Sequence, residues 1–226
     1  MPPQPDLPDA AAAATEGIQA PAGQAANGTA APARKRPKPG ERRVQILQTL
    51  AAMLEQPGAE RITTAALAAR LDVSEAALYR HFASKAQMFE GLIEFIESSV
   101  FSLVNQIVER EPSGLVQTQR ILAVLLQFAE KNPGMTRVMV GDALVFEHER
   151  LGARMNQFFD KLEAQLRQSL RQAAEAAGSP TPTVDAQVRA SVLTAFAVGR
   201  LQRYARSGFR HSPTEHLDAA LALLAA

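Results

Sequence analysis

The side chains best suited to binding chemistry in this sequence lie between residues 63 and 85. Hydroxyl groups stand immediately before short helical patterns, where they can cap a helix, and phenol, guanidinium, imidazole and ammonium groups follow. Hydroxyls, cations and the free N–H groups of a helix N-terminus are common protein ligands of phosphate oxygens. The segment therefore favours a nucleic acid as ligand. The candidate set comprises Thr63, Thr64, Ser74, Glu75, Ala76, Ala77, Tyr79, Arg80, His81 and Lys85.

Three short helices, over residues 42–56, 64–71 and 74–81, are predicted to position this set. Val44, Leu47 and Leu50 recur at helical spacing in the first, while Thr63 and Ser74 can cap the other two. The proportions match a helix-turn-helix, whose last helix places its N-terminal end in the DNA major groove. Residues 74–77 are short or polar, which permits close approach to base edges. By periodicity alone, a helical bundle that binds nothing is an equal alternative.

The remainder of the chain is also predicted to be helical, and no segment has a clear strand pattern. A capping box at Ser84–Gln87 opens a helix that runs to Arg110. Further helices are predicted over residues 117–131, 147–177 and 184–207. Another is predicted to start at Pro133 with Asn132 as its cap, and a last one runs from a capping box at 212–215 to the C-terminus. The expected fold is all-α with about nine helices. The expected domains are a tail over 1–40, a DNA-binding domain over 41–86, and a dimerisation and partner-binding domain over 87–226.

Composition narrows the class of protein. Hydrophobic residues make up 46% of the chain and aromatic residues 5%, so Leu, Ala, Val and Ile are expected to form the core. The absence of cysteine excludes disulfides, thiolate metal sites and a cysteine nucleophile. The histidines have no metal-ligand spacing, and no Gly-rich phosphate loop or nucleophile elbow occurs. We therefore expect no enzyme activity, no metal and no cofactor. We also expect no membrane partner, since no apolar run approaches the ~18–20 residues of a membrane span. The expected location is the cytoplasm.

Residues 1–40 are expected to form a disordered tail, because they hold more than half of the 14 prolines and few large apolar residues. A basic run from Arg34 to Arg43, opposed only by Glu41, follows the Ala- and Pro-rich part. The net charge of the whole chain is only +1, so overall charge does not argue for nucleic acid. The basic run is either a solvated tail or an arm that contacts phosphates.

Residues 62–85 resemble the DNA-binding module of the TetR family. The most specific part of the match is Leu-Tyr-x-His-Phe-x-x-Lys, which here is Leu78 to Lys85. The resemblance implies a homodimer that binds palindromic sites in double-stranded DNA, with one or more dimers per site. It also implies that Tyr79 and Lys85 contact phosphates and that residues 74–77 contact bases.

A narrower resemblance, to the nucleoid occlusion factors of the TetR family, extends over about residues 42–215. It depends mainly on segments beyond the DNA-binding module, where TetR regulators normally diverge. The resemblance implies DNA-activated inhibition of the division protein FtsZ, which keeps the septum off the chromosome. The matching segments are residues 74–82, 91–97, 131–137, 143–147, 154–159 and 162–168.

The helix over residues 84–110 has two phenylalanines outside the centre of its apolar stripe. Phe95 falls at the edge of the stripe and Phe101 on its far side. A large apolar residue in such a place indicates a contact surface, unless another helix or a dimer mate covers it. The nucleoid occlusion resemblance implies that the FtsZ C-terminal tail lies between this helix and that over 117–131, at Phe95, Lys131 and Asn132.

Dimerisation is expected to depend on the two late helices, with two helices from each subunit forming a four-helix interface. Small residues in the helix over 184–207 are expected to allow this close approach, unless they pack only within the chain. The TetR resemblance favours the dimer. These residues are Ala190, Ser191, Ala195, Ala197 and Gly199.

A ligand-responsive TetR repressor is the main alternative function. It requires a pocket in the C-terminal domain with convergent polar groups. The residues available to build one are Arg137, Asp142, His148 and Tyr204.

Overall fold

The computed structural model describes residues 40–56 and 61–224. The predicted tail with its basic run, up to residue 39, and the helix end predicted at Pro57-Gly58 lie outside the described residues. Within the described ranges the chain folds into nine α-helices and one short 3-10 helix, without a strand. The prediction of an all-α protein with about nine helices is confirmed.

Short connections join the helices. In chain order the α-helices are α1 (Glu41–Leu54), α2 (Thr64–Arg70), α3 (Glu75–Tyr79), α4 (Lys85–Arg110), α5 (Gly114–Lys131), α6 (Pro133–Met139), α7 (Glu149–Ala176), α8 (Pro182–Arg206) and α9 (Leu217–Leu224). The 3-10 helix, Asp142–Leu144, lies between α6 and α7. Helices α1–α3 form a small module at the N-terminal end of α4, while α7 packs along α5 and α8.

The long helices share a core of aliphatic side chains. Leu92, Ile93, Ile96 and Val100 of α4 are fully buried in it. Burial of one such side chain contributes about 1.5–3 kcal/mol, so packing fixes the position of α4. Length and composition alone would allow α4 to cross a membrane, contrary to the expectation that no apolar run is long enough. In the fold, this apolar stripe faces the interior of the helical bundle.

Capping side chains begin three of the helices, as the sequence predicts. The hydroxyl oxygens of Thr63, Ser74 and Ser84 each accept the backbone N–H three residues ahead. The capping box at Ser84 differs in one detail, because Oε1 of Gln87 accepts the N–H of Ala83, at 2.9 Å, instead of that of Ser84. These caps set the starts of α2, α3 and α4.

The start of α5 differs from the prediction by three residues. The helix begins at Gly114, and the Ser113 hydroxyl caps it by accepting the N–H of Val116. The predicted helix end at Pro112-Ser113-Gly114 is therefore also a helix start. A glycine is needed here because a Cβ on Gly114 would lie 2.0 Å from the carbonyl oxygen of Ser169 in α7.

The predicted capping box at residues 212–215 is wrong, and α9 begins only at Leu217. The Ser212 hydroxyl donates to the Glu130 carboxylate, and its oxygen accepts the N–H of Thr214 at 3.2 Å. Residues 213–216 form a turn, and His216 has a positive φ of 52°. The Ser212 hydroxyl, which the local pattern assigned to the start of the last helix, thus binds Glu130 of α5 instead.

Candidate nucleic-acid interface and partner surface

The N-terminal end of α3 is open to solvent, as DNA reading requires. Glu75 and Ala76 are exposed and Ala77 is half-buried, while Leu78 is fully buried and anchors the helix. Exposed Ser74 caps α3 at its start. Residues 74–77 therefore present short side chains and one carboxylate at the tip of a helix, a shape that fits a major groove.

A hydrogen bond between α2 and α3 orients the single carboxylate at this tip. The Thr64 hydroxyl donates to Oε2 of Glu75 at 2.5 Å. Thr63 is exposed and uses its own hydroxyl oxygen to cap α2, accepting the N–H of Ala66 at 3.1 Å. The two neighbouring threonines thus have different roles, since Thr63 sets the helix start and Thr64 holds Glu75.

Exposed donors surround the end of α3. Tyr79 is 45% exposed, and Arg80 and His81 are exposed beside it. In the sequence, Arg43 belongs to the basic run; in the structure, this α1 residue joins the same surface. Its Nη1 donates to the carbonyl oxygen of His81 at 2.9 Å, and its guanidinium lies 4.1 Å from the ring centroid of Phe82. No sequence signal linked Arg43 to His81, because 38 residues separate them.

Lys85, the first residue of α4, is half-buried rather than free in solvent. Its ammonium group pairs with the carboxylate of Glu147 and lies 5.7 Å from the ring centroid of Phe89. Glu147 lies between the 3-10 helix and α7, so the ion pair joins the start of α4 to the C-terminal helices. A DNA phosphate at this position would compete with Glu147 for the same ammonium group.

Neutralising Glu147 tests this competition. We expect Glu147→Gln to raise DNA affinity about threefold at low salt, because Lys85 would lose its internal partner and a carboxylate would no longer face the phosphates. Lys85→Ala should weaken binding to all sequences and lower the slope of log affinity against log salt by about one. Fluorescence anisotropy with a labelled duplex at several salt concentrations measures both effects.

The matched control is Glu149→Gln, which removes the same charge from an exposed position two residues further along. It should change the affinity less than Glu147→Gln does. Equal gains from the two variants would assign the effect to net charge, and a loss of affinity after Glu147→Gln would contradict the competition.

Phe128 of α5 brings together the predicted partner-binding residues. The ring centroids of Phe95 and Phe128 are 6.2 Å apart, and Nδ2 of Asn132 donates to the carbonyl oxygen of Phe128 at 2.7 Å. Phe95 is half-buried, Asn132 is buried and Lys131 is exposed. The three residues therefore share one corner, where the C-terminal end of α5 meets the middle of α4.

The expectation that Asn132 caps α6 is wrong in its mechanism. Asn132 precedes Pro133 at the predicted position, but its side chain makes no capping bond to α6. Its amide points backward instead and satisfies a carbonyl in the last turn of α5, a group that lacks an intrahelical partner. Burial of the amide favours this bond, because an unpaired polar group in the interior is costly.

Phe101 does not form an exposed contact surface. Its ring packs edge-on against Phe158 of α7, with centroids 5.5 Å apart. Nearby on the same side of α4, Arg154 of α7 binds Glu97 at 2.6 Å. Another helix of the same chain therefore covers Phe101, the alternative that the sequence analysis left open.

Comparison with known proteins decides the family. The model for bacterial regulatory proteins of the tetR family matches residues 46–92, and the SlmA-like model for tetracyclin repressor-like C-terminal domains matches residues 112–226. The nucleoid occlusion factor SlmA of Aliivibrio fischeri is 51% identical over 191 residues, covering 84% of this chain and 97% of that protein. For SlmA of Photobacterium profundum the identity is 51% over 190 residues, with 84% and 96% covered. This chain belongs to the SlmA family.

Solved structures show the same fold as this SlmA-family chain. The TetR family regulator PfmR of Thermus thermophilus has a TM-score of 0.66 at 19% identity, covering 80% of this chain and 96% of that chain. FadR of Bacillus subtilis, solved in complex with stearoyl-CoA, has a TM-score of 0.64 at 11% identity, covering 80% and 97%. The predicted TetR-like fold is confirmed.

Helix α8 of this SlmA-family chain has an exposed apolar face. Ala190 and Ala197 are buried within their own chain, so these two small residues serve packing within the chain, the alternative to a dimer contact. At about 100° per residue these two fall on the opposite side of the helix from the others. The exposed face consists of Ser191, Ala195 and Gly199 together with a valine stripe, defined as Val184, Val188 and Val192.

Three of the four residues named for a regulatory ligand make other contacts in the SlmA-family structure. His148 caps α7 by accepting the N–H of Arg150, and Arg137 lies 5.4 Å from the ring centroid of Phe209. Tyr204 donates to the carbonyl oxygen of Glu130 at 3.1 Å, and burial raises its pKa. A cavity of about 800 Å³ between α5 and α9 and one of about 460 Å³ near Glu111 are lined by other residues. The residues named for a ligand site are thus not gathered around either of these two cavities.

Proposed function

We propose that this chain is a nucleoid occlusion factor that binds chromosomal sites and, when bound, inhibits FtsZ ring assembly, so that no septum forms over the nucleoid. It acts as a homodimer on palindromic double-stranded DNA, with one or more dimers per site. It is a cytoplasmic, nucleoid-associated binding protein rather than an enzyme. The observation that carries the proposal is the 51% identity to SlmA, which extends over both the DNA-binding module and the C-terminal helices.

The residues proposed to bind DNA are those whose exposure and position suit it. Residues 74–77 would contact bases, and Thr63 and Tyr79 would contact phosphates beside them. Thr64 would contact a phosphate by exchanging Glu75 for it, because its one hydroxyl proton is donated to that carboxylate. Arg80, His81 and Lys85 would supply further donors on the same side of the module. Lys85 would exchange Glu147 for a phosphate on binding.

The proposed FtsZ site is the corner of Phe95, Lys131 and Asn132. Half-buried Phe95 offers an apolar contact, and exposed Lys131 supplies a positive charge at the C-terminal end of α5. Buried Asn132 acts by holding the end of α5 through Phe128. A half-buried aromatic ring and an exposed cation at one corner suit a short peptide with an apolar anchor and a carboxylate.

Sedimentation of FtsZ filaments tests the proposed function directly. We expect less FtsZ in the pellet when this protein is added together with a chromosomal fragment that it selects. The protein without DNA should leave the pellet nearly unchanged. Equal inhibition with and without DNA, or none with DNA, would contradict the proposal.

Phe95→Ala should separate the two binding activities. Loss of the ring removes the apolar contact next to Phe128, so we expect FtsZ-tail affinity to fall at least tenfold, a loss on the scale of an interface hot spot. DNA affinity should stay within twofold, because Phe95 lies outside the α1–α3 module. Anisotropy titrations with a labelled tail peptide and a labelled duplex give both values.

The control for Phe95→Ala is Phe146→Ala, which removes the same ring from a position that is 66% exposed and outside the proposed site. It should bind both ligands normally. Similar losses in peptide binding from the two variants, or a parallel loss of DNA affinity in Phe95→Ala, would count against the assignment.

A further inference from the structure

The loop over residues 207–216, which connects α8 to α9, is tied to the end of α5 by two hydroxyl groups. Ser212 donates to Oε1 of Glu130, and Thr214 donates to Oε2 of the same carboxylate at 2.7 Å. Buried Pro213 lies between them in the chain. Hydrogen bonds to an ionised acceptor are about twice as strong as those between neutral groups. Ser212, Thr214 and Glu130 form the Glu130 clasp.

The same three-residue sequence, Ser-Pro-Thr, occurs at a second place with a local partner. Ser179 and Thr181 donate to Asp185 at 2.5 and 3.1 Å, in the first turn of α8. That contact stays within six residues of chain. The copy at 212–214 reaches a helix 82 residues away, so it fixes α5 relative to the loop.

The loop has a fixed backbone of its own. The Ser207 hydroxyl oxygen accepts the N–H groups of Arg210 and His211, both at 3.0 Å. Phe209 has a positive φ of 64°, and its ring packs on that of Tyr204 with centroids 5.1 Å apart. Such a conformation is costly for a bulky residue and persists only where its surroundings fix it. The loop is therefore an ordered support for the clasp.

Side chains complete the end of α5. A helix leaves its last four carbonyl groups without partners in the helix, and side chains donate to three of them here. The pairs are Asn132 with Phe128, Thr136 with Ala129, and Tyr204 with Glu130. Glu130 is thus held twice, at its carbonyl by Tyr204 and at its carboxylate by the loop. Lys131 is the next and last residue of α5, so these contacts fix the backbone from which its side chain extends.

The proposed partner corner needs a set distance between an apolar ring and a cation. The ring is Phe95, which packs on Phe128. The cation is Lys131, which is exposed and forms no salt bridge with the residues that the structure describes. Helix ends fray, and fraying of the last turn of α5 would move Lys131 relative to the ring. A ligand loses affinity when it must first order the groups that bind it.

We propose that Glu130 is a positioning residue of the partner site: clasped by Ser212 and Thr214, it keeps the last turn of α5 intact and so holds Lys131 at a fixed distance from Phe95. The effect on FtsZ rests on the proposed function, whereas the effect of the clasp on α5 does not.

Substitutions that preserve the shape of the clasp test this role in the full-length chain. Ser212→Ala combined with Thr214→Val removes both donors, while Thr214→Ser alone keeps both hydroxyls. The matched control is Ser179→Ala combined with Thr181→Val, which removes the same two groups from the local copy of the sequence.

The first measurement is amide hydrogen exchange over residues 128–132. Exchange should be about fivefold faster in the double clasp variant, because the last turn of α5 opens more often. It should be unchanged in Thr214→Ser and in the control. DNA affinity should stay within about twofold of wild type in all three, because the clasp lies outside the α1–α3 module.

The second measurement is the affinity for a labelled FtsZ-tail peptide, by anisotropy. It should fall about tenfold in the double clasp variant and stay within twofold in Thr214→Ser and in the control. In a Lys131→Ala background, loss of the clasp should cost less than about twofold, because the cation that it positions is already gone. A merely structural role would give the full loss in both backgrounds.

Wild-type exchange or wild-type tail affinity in the double clasp variant would overturn the positioning role, as would a full loss in the Lys131→Ala background. If the wild type binds no FtsZ tail, the proposed function fails, and the exchange data still decide whether the clasp holds the end of α5. If the double variant does not fold, Thr214→Val against Thr214→Ser decides the same questions.

Discussion

Gly114→Ala is expected to lower the free energy of unfolding by about 3 kcal/mol, the upper part of the range for overpacked sites. The new Cβ would lie 2.0 Å from the carbonyl oxygen of Ser169 and 3.0 Å from the backbone nitrogen of Ala173. Both atoms belong to the backbone of α7, so no side chain can rotate away to relieve the clash. Urea unfolding of the full-length chain, followed by circular dichroism, measures the change.

A buried polar network makes this site less able to adjust. The Ser169 hydroxyl donates to Oε1 of Gln117 at 2.7 Å, and Nε2 of Gln117 donates to the carbonyl oxygen of Glu111 at 2.7 Å. Ser169 and Gln117 are buried. If α5 and α7 separate to admit the methyl group, these bonds lengthen and leave polar groups without partners, which adds to the loss.

Gly152→Ala is the matched control, because a Cβ on this α7 residue would meet nothing within 4 Å. Alanine in place of a helical glycine should raise stability there by about 0.5–1 kcal/mol. The same substitution thus has opposite signs at two helical glycines of one chain. A stabilising Gly114→Ala would show that α5 and α7 do not approach as closely as the structure has them.

Sequence patterns predicted the helices where local chemistry decides the boundary. Thr63, Ser74 and Ser84 mark helix starts through their own backbone, so the signal lies within four residues. The same local pattern wrongly predicted that Ser212 caps a helix, because Glu130, 82 residues away, binds its hydroxyl. At Gly114 the glycine looked like a helix end, although its role is the crossing with α7.

Sequence patterns likewise predicted one part of the candidate site and missed another. The hydroxyls and cations of residues 63–85 could be recognised from type and spacing, and the structure gathers them on one small module. Their distant partners could not be recognised, because Arg43 and Glu147 contact His81 and Lys85 from far away in sequence. Glu147, for example, is 62 residues from Lys85. A carboxylate in a loop carries no signal of which cation it will meet.

These distant partners affect how much each cation of the module would contribute to DNA affinity. With a net charge of only +1, affinity must come from local cations rather than from the overall field. Lys85 is already paired in the free protein, so part of its attraction to phosphate replaces an internal contact. Binding to DNA would then be linked to the C-terminal helices through the Lys85–Glu147 ion pair.

Dimer formation should be the step of the proposed function that a single substitution disrupts most strongly. Val184, Val188 and Val192 are 61%, 58% and 48% exposed in the single chain, and their spacing of four residues places them on one face of α8. Because Ser191, Ala195 and Gly199 on the same face are small, a second copy of α8 can approach closely. We propose that this face packs against its symmetry mate, which would bury all three valines.

Val188→Asp is therefore expected to dissociate the dimer. Two-fold symmetry places the substitution twice in one interface, and each unpaired buried charge costs several kcal/mol. The dimer dissociation constant should rise at least 100-fold, and DNA affinity should fall by a similar factor, because a single module reads only one half-site. Sedimentation equilibrium and gel shifts measure the two effects.

Val145→Asp provides the comparison for Val188→Asp, since Val145 is 70% exposed and lies outside α8. This variant should remain dimeric, with a change in DNA affinity no larger than one added negative charge explains. If Val188→Asp also remains dimeric, the valine stripe is not the interface. If it becomes monomeric yet keeps wild-type DNA affinity, the DNA affinity of the protein does not depend on paired half-sites. FtsZ inhibition would then have to be explained by single monomers bound along the chromosome.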